Sequence, residues 1–296
     1  MAILLKQKTC FVKKRVNEML ISGLYIVATP IGNLKDISER AREVLDEADV
    51  IAAEDTRVSR KLFTLLGISS KKAFIAYEDH LEQEKFQQII DLINEGKSVA
   101  LISDAGSPLI SDPGYKLVRE CRKQGIYVTT VPGASAVISA LQLSGLPTNR
   151  FMFAGFIPNK DKARIDLFTE LKDINTTLVL YETAIRLEKS LIALQQIMPN
   201  REIAVVREIT KMYEETIFGS VESVLNKIKE NPVKGEIVIV VAPPAEKDSQ
   251  DVDLNTVLTE ELKHRSLKEA VKNVAEKYGF KRNEVYEKAL QIKNNG

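Results

Sequence analysis

From residue 24 onward, short apolar runs alternate with longer amphipathic stretches. Runs of strand length stand at 24–28, 50–53, 73–76, 99–102 and 126–130. Between them, 38–46, 59–66, 82–94 and 115–123 carry apolar residues at three- and four-residue spacing, the period of a helix with one buried face. Strands apolar throughout, each followed by a helix, predict βαβ units and a mostly parallel sheet. Gly67, Gly96 and Gly125 follow three of these helical stretches, where a C-terminal cap takes left-handed backbone.

The series breaks at Gly-Leu-Pro-Thr-Asn, 145–149, and then restarts. Strands are predicted at 151–156, 177–180, 203–206, 215–218 and 237–241, the last closing the sheet, with helices at 162–171, 184–195 and 221–229. Too few residues precede 215–218 for a crossover helix, so it should pair antiparallel and make the second sheet mixed. Residues 242–251 are polar and Pro-bearing and read as a linker. Beyond it, Ser266 can cap a helix at 267–278, Gly279 can end it, and 282–292 predicts a second helix, a pair resembling a helix-turn-helix. The expected organisation is an N-terminal extension (1–22), an α/β domain (23–147), a second α/β domain (148–243) and a helical appendage (252–296).

Composition narrows this picture in three places. A chain of 296 residues with 44% hydrophobic content can bury two cores. Net charge is only +1, but from Lys263 to the end nine Lys/Arg face four Glu, a local excess of five positive charges. Cys10 and Cys121 have neither metal-ligand spacing nor a disulfide framework, which predicts a reducing, cytoplasmic setting. No apolar run reaches membrane-spanning length, and Met1-Ala-Ile-Leu-Leu-Lys lacks the sustained apolar region of a secretory leader.

The candidate chemistry lies where strands end. The run at 99–102 passes into Ser103-Asp-Ala-Gly-Ser-Pro-Leu-Ile-Ser-Asp-Pro-Gly114, and Thr29-Pro-Ile-Gly-Asn33 and Val131-Pro-Gly-Ala-Ser-Ala136 follow two other strands. Three such loops at one sheet edge predict a ligand crevice. Gly-x-Gly-x-x-Gly and Gly-x-x-x-x-Gly-Lys-Ser/Thr are both missing from the chain, so a phosphate cradle, and with it a dinucleotide oxidoreductase, is disfavoured.

These residues resemble the tetrapyrrole-methylase superfamily of S-adenosylmethionine-dependent methyltransferases, and most closely its ribosomal branch, which 2′-O-methylates a cytidine of 16S rRNA. The motifs are Val-Ala-Thr-Pro-Ile-Gly-Asn-Leu at 27–34, Glu-Asp-Thr-Arg at 54–57, the 103–114 loop and Val-Pro-Gly-Ala-Ser-Ala at 131–136. Tyr181-Glu-Thr183, Arg207-Glu-Ile-Thr-Lys211 and Gly235-Glu236 extend the likeness through the second half. The chain departs from that pattern at Ala184-Ile185, where Pro-His is common, and at Leu81, where Asn is frequent. The resemblance implies two α/β domains of the tetrapyrrole-methylase type with a helix-turn-helix-like unit, S-adenosylmethionine in the interdomain cleft, a homodimer, and 16S rRNA or the small subunit, in its decoding region, as substrate. By position it places Asp104, Ala105, Gly106, Ser107 and Ile110 on the cofactor. Ser135, Ala136 and Tyr181 join them, with Pro30 and Ile31 as a wall.

Transfer to a ribose hydroxyl needs a proton acceptor. His80 titrates near neutrality and follows the third strand; Glu54 and Asp55 end the second, although Glu54 could instead pair with Arg57 or cap the next helix. Lys35, Arg57, Lys160, Lys162, Arg164, Arg186 and Lys211 fall in loops or helix starts near the same mouth, and Lys281 and Arg282 in the appendage; all are expected on RNA phosphates. A small-molecule methyltransferase on the same fold and a non-enzymatic RNA-binding assembly protein are the alternatives.

Overall fold

The computed structural model describes residues 20–77, 82–245, 253–278 and 280–295. His80, Gly279 and most of the N-terminal extension and linker lie outside these residues.

Five strands, β1 (Gly23–Val27), β2 (Val50–Ala53), β3 (Ala73–Ala76), β4 (Ser98–Ile102) and β5 (Val128–Val131), form the first sheet. Its order is β3-β2-β4-β1-β5 and every neighbouring pair is parallel. Alternation along the strands divides two cores. Tyr25, Ile51 and Ala100 point to the face covered by α1 (Glu39–Glu47) and α2 (Thr56–Leu66). Leu24, Val50 and Val99 point to the face covered by α3 (Glu82–Asn94) and α4 (Tyr115–Lys123), where Ile89, Ile90 and Leu117 are fully buried. Each such aliphatic side chain contributes ~1.5–3 kcal/mol relative to exposure. Local signals set the helix ends. Ser38 Oγ accepts from Ala41 N at 3.1 Å to start α1, and Gly67 stops α2 at φ 69°.

Chain direction determines where this sheet can bind. The chain leaves β1 for β2 through α1 and leaves β4 for β5 through α4, and those helices lie on opposite faces. Because β1 and β4 are neighbours, their diverging connections open a crevice at their carboxyl ends.

The second sheet comprises β6 (Phe151–Phe156), β7 (Thr177–Thr183), β8 (Glu202–Arg207), β9 (Glu215–Ser220) and β10 (Glu236–Val241), ordered β6-β7-β10-β8-β9. Only β6 and β7 run parallel; β9 pairs antiparallel to β8, and the sheet is mixed as expected. β10 does not close the sheet at an edge but sits at its centre, where a continuous run such as Ile237–Val241 is buried on both faces. α6 (Asp161–Leu171), α7 (Ala184–Ile197) and α8 (Val221–Glu230) cover the face of Leu178, Val205 and Ile239. The other face, with Val179, Ala204 and Val238, is covered by α5 (Ala136–Ser144). The sequence pattern did not predict α5. Its apolar residues point both inward (Val137, Ala140, Leu141) and outward (Ile138, Leu143), so it lacks a helical stripe.

The C-terminal unit has three helices, α9 (Leu254–His264), α10 (Leu267–Tyr278) and α11 (Arg282–Asn295), not the two expected. The apolar residues of α9, Leu254, Val257, Leu258 and Leu262, do follow the helical period and pack on the unit's core, so this helix was legible in the sequence and was missed beside the polar linker. The unit closes its own core around Leu258, Val271, Val274, Val285 and Ala289. Ser266 and Glu269 form a reciprocal cap on α10: Ser266 Oγ accepts from Glu269 N at 3.4 Å and the Glu269 carboxylate accepts from Ser266 N at 3.2 Å. No helix among the described residues is long and apolar enough to cross a membrane.

Candidate active site

The crevice loops of the first sheet are stitched together through backbone amides and carbonyls, each joint using at least one. Thr29 N donates to Gly106 O at 2.9 Å and Gly106 N to Thr29 O at 3.1 Å, tying the loop after β1 to that after β4. Ser107 Oγ reaches Ala134 O at 3.3 Å in the loop after β5, and Asp55 N donates to Asp104 Oδ1 at 3.2 Å after β2. Gly106 is at φ 84°, and a Cβ there would stand 3.3 Å from Ile31 Cγ2. Leu109 and Ser111 take φ of 72° and 67°, a conformation costing ~1–2 kcal/mol for an L-residue, and they flank Ile110.

Opposite these loops stands the carboxyl end of β7 and the amino end of β10. Together they enclose a cleft of about 360 Å³, within the range of small-ligand sites. Nine of the ten residues expected on the cofactor line it: Ile31, Asp104, Ala105, Gly106, Ser107, Ile110, Ser135, Ala136 and Tyr181; Pro30 does not. Sequence reasoning missed Asp112, Phe156, Ile209, Glu236 and Val238, which also line it. For Ile209 the only local signal was the quoted segment 207–211, whose Glu208 and Thr210 adopt φ of 50° and 67°. This segment meets the first sheet's loops, because a Cβ on Gly32 would stand 2.5 Å from Lys211 Cγ.

The lining is acidic. Glu54, Asp104, Asp112, Glu182 and Glu236 line the cleft, the last two paired with Arg186 and Lys211, and no Lys or Arg is among its described lining residues. Burial, together with the nearby charge of Asp55, raises the Asp104 carboxyl above its ordinary range, against a smaller lowering by the Asp55 amide. Burial and the Asp112 charge push the Tyr181 phenol up to about 12, so it stays protonated at neutral pH. Such a site suits a cationic ligand without phosphates, which describes a sulfonium compound.

The predicted proton acceptors separate. Asp55 caps α2, accepting from Arg57 N at 2.8 Å, and its ion pair with the Arg57 guanidinium at 2.7 Å holds its carboxyl at about 2. That makes it a poor base at neutral pH, a correction to its catalytic assignment, and it is Asp55 rather than Glu54 that pairs with Arg57. Glu54 lines the cleft, with Asp104 N 3.5 Å from Oε2.

The predicted RNA cations separate too. Arg57, Lys160, Lys162, Lys281 and Arg282 are exposed, and Lys35 borders a neighbouring groove with Arg42 and Leu65. Arg164 is 2% exposed, and its assignment to RNA contact is corrected: the guanidinium donates to Asn159 O at 2.9 Å and Asp161 Oδ1 at 2.8 Å, pinning the loop before α6. Arg186 pairs with the buried Glu182 carboxylate at 2.7 Å, and Glu182 also accepts from Ser190 Oγ and from Thr183 N at 2.7 Å. Lys211 Nζ lies 3.0 Å from both Glu208 and Glu236; burial opposes its charge, but these bonds outweigh it and raise its pKa. The i,i+3 and i,i+4 spacings of Asp161–Arg164 and Glu182–Arg186 were the signals for two of these pairs.

A two-sheet body with an acidic cleft at the switch point, carrying a small helical unit, is the setting in which the family can be stated. The chain belongs to the tetrapyrrole (corrin/porphyrin) methylases, whose model matches residues 23–225, and it is an S-adenosylmethionine-dependent methyltransferase. The RsmI C-terminal HTH domain matches residues 248–293. Proteins named ribosomal RNA small subunit methyltransferase I are similar over nearly the full length. That of Erythrobacter litoralis is 49% identical, covering 93% of this chain and 97% of its own. Those of Rickettsia prowazekii (45%; 80% and 84%) and Escherichia coli O157:H7 (42%; 90% and 94%) are further examples. Among solved structures, diphthine synthase shares the fold at TM-score 0.58 and 18% identity, covering 74% of this chain and 89% of that one. Cobalt precorrin-4 methyltransferase does so at 0.54 and 16%, with 74% and 94% covered.

Proposed function

We propose that the chain transfers the methyl group of S-adenosylmethionine to a cytidine ribose 2′-oxygen in the decoding region of 16S rRNA. The observation that carries this reading is the near full-length likeness to ribosomal RNA small subunit methyltransferases, extending through the basic C-terminal unit. When bound, the cofactor supplies an electrophilic methyl group with a neutral thioether leaving group. Asp104 to Ser107, Ile110, Ser135, Ala136 and Tyr181 hold it, with the lining carboxylates favouring its positive charge. The loops orient the ribose hydroxyl against the methyl group, which can be worth effective molarities of about 10⁵–10⁸ M. Glu54 accepts the hydroxyl proton, a role worth only about 10²–10⁴-fold. His80 is the other candidate for that role.

Lys160, Lys162, Arg57, Lys281 and Arg282 neutralise RNA phosphates outside the cleft. Exposed Phe151 and Met152 on the edge strand β6 support the homodimer that the family resemblance implies, and the two widely spaced cysteines support a cytoplasmic setting. The test is to map 2′-O-methylation of small-subunit RNA from cells lacking the protein. One cytidine methylation should vanish and return with the full chain, and an unchanged map would overturn the reading. Removing residues 252–296 should weaken RNA methylation while leaving cofactor affinity within about twofold, since the helical unit closes its own core.

A further inference from the structure

The acidic lining has a consequence for the substrate. The excess of carboxylates over cations in the lining disfavours phosphodiesters there, so the parts of an RNA suited to enter are the uncharged ones, ribose and base. A base taken out of its stack needs a new partner for its face, most often an aromatic side chain. Two aromatic rings line the cleft. Tyr181 is held edge-to-face between Phe153 at 4.8 Å and Phe156 at 5.2 Å. Among the described rings Phe156 meets only that of Tyr181 and remains 56% exposed, leaving apolar ring surface open to a further partner.

The backbone puts it there. The β6–β7 register runs regularly through Phe153↔Val179 and then shifts, so that Phe156 stands opposite Tyr181. Gly155, inside this irregularity, is at φ 74°, the left-handed backbone that glycine supplies in a bulge. Bulges of this kind re-aim a side chain beside an active site. β6 is the edge strand, so Phe156 lies on the open flank of the cleft and not on its floor of Ile237 and Val238. Directly after it comes the loop that Arg164 pins through Asn159 O, presenting exposed Lys160, with exposed Lys162 in the first turn of α6. An exposed ring and two exposed cations therefore follow one another within seven residues, between the end of β6 and the first turn of α6.

We propose that Phe156 is the platform on which the base of the target nucleotide stacks during methyl transfer; this rests on the RNA reading above. It is a positioning residue for the substrate, distinct from the residues that hold the cofactor. The test uses the full chain, S-adenosylmethionine and small ribosomal subunits from cells lacking the protein. Phe156→Ala is expected to lower kcat/KM for the subunit by about tenfold to a hundredfold, the worth of one base–aromatic stack, with cofactor affinity unchanged by calorimetry. Phe156→Tyr should recover most of that loss, and Phe156→Leu little of it. The chain contains no Trp, so Phe156→Trp installs a sole indole whose fluorescence should be quenched by the subunit and not by cofactor alone. Equal losses of cofactor affinity and transfer would overturn the proposal by making the ring part of the cofactor wall. So would undiminished transfer by Phe156→Ala while the wild type is active. A wild-type protein that methylates no subunit RNA would overturn the RNA reading and this inference with it.

Discussion

Around the first sheet's crevice the loops are joined through backbone amides, as in Thr29–Gly106 and Asp55 N–Asp104 Oδ1; around the second sheet ion pairs are added, joining loops in Glu208–Lys211–Glu236 and bracing single turns in Asp161–Arg164 and Glu182–Arg186. Backbone joints require residues that let chains approach, and those residues are conspicuous as Gly, Pro, Ala and Ser. Ion-pair joints use the same Lys and Arg that a nucleic-acid surface uses. One half of the molecule therefore announces its architecture in sequence, and the other conceals it among charges that look like substrate contacts.

The largest expected effect comes from disturbing a main-chain joint. Gly106→Val forces a β-branched residue to φ 84° with its Cβ against Ile31. A cost of ~3 kcal/mol would reduce S-adenosylmethionine affinity about a hundredfold by calorimetry; a change below about threefold would show that this joint does not shape the cleft. Next in size is Arg164→Ala. Its partner Asp161 is 85% exposed, so the ion pair itself is worth little. Losing the buried guanidinium and its bond to Asn159 O should nevertheless cost ~2–3 kcal/mol in urea unfolding and reduce RNA methylation. Lys160→Ala with Lys162→Ala should do the reverse, leaving stability within ~0.5 kcal/mol while lowering the salt slope of RNA binding by about one per lost phosphate contact. If the two variants behaved alike, the division between joint and contact would collapse.

The smallest effect is a matter of sign. The Asp104 pKa is raised in the folded state, so its charge costs stability above the folded pKa, and the cost disappears as pH falls below the unfolded value. Asp104→Asn should therefore melt slightly higher than wild type at neutral pH, converge with it in acid, and bind the cofactor more weakly. Asp55 is the opposite case. Held at about 2, it contributes stability that is fully present above the ordinary carboxylate range and lost as pH falls toward 2. Melting curves between pH 7 and 2 check both.

Much of the fold was legible because burial on both faces leaves strands such as Val50–Ala53 and Ser98–Ile102 as nearly uninterrupted apolar runs between turn residues. What stayed hidden has physical causes. α5 lacks amphipathic period because it bridges two surroundings, and β10's central place is set by partners distant in sequence. Asp104 to Ser107 could be read as a ligand loop from their composition. Phe156 could not, since nothing in Phe151–Phe156 distinguishes the ring that faces a cleft from one that faces a core. Only the register shift at Gly155 makes that distinction.

The position of α5 also bears on how the molecule unfolds. This helix follows the first sheet in the chain yet buries Val137, Ala140 and Leu141 against the second, in a cluster that also takes in Ile31 from the crevice. Ile31 ties the crevice loop after β1 into that cluster, so heat or denaturant should dismantle residues 20–245 in one cooperative transition. The C-terminal unit, with its private core, is free to melt by itself. A ligand that touches only a few loops should then raise the melting temperature of the whole two-sheet body and leave that of the helical unit where it was.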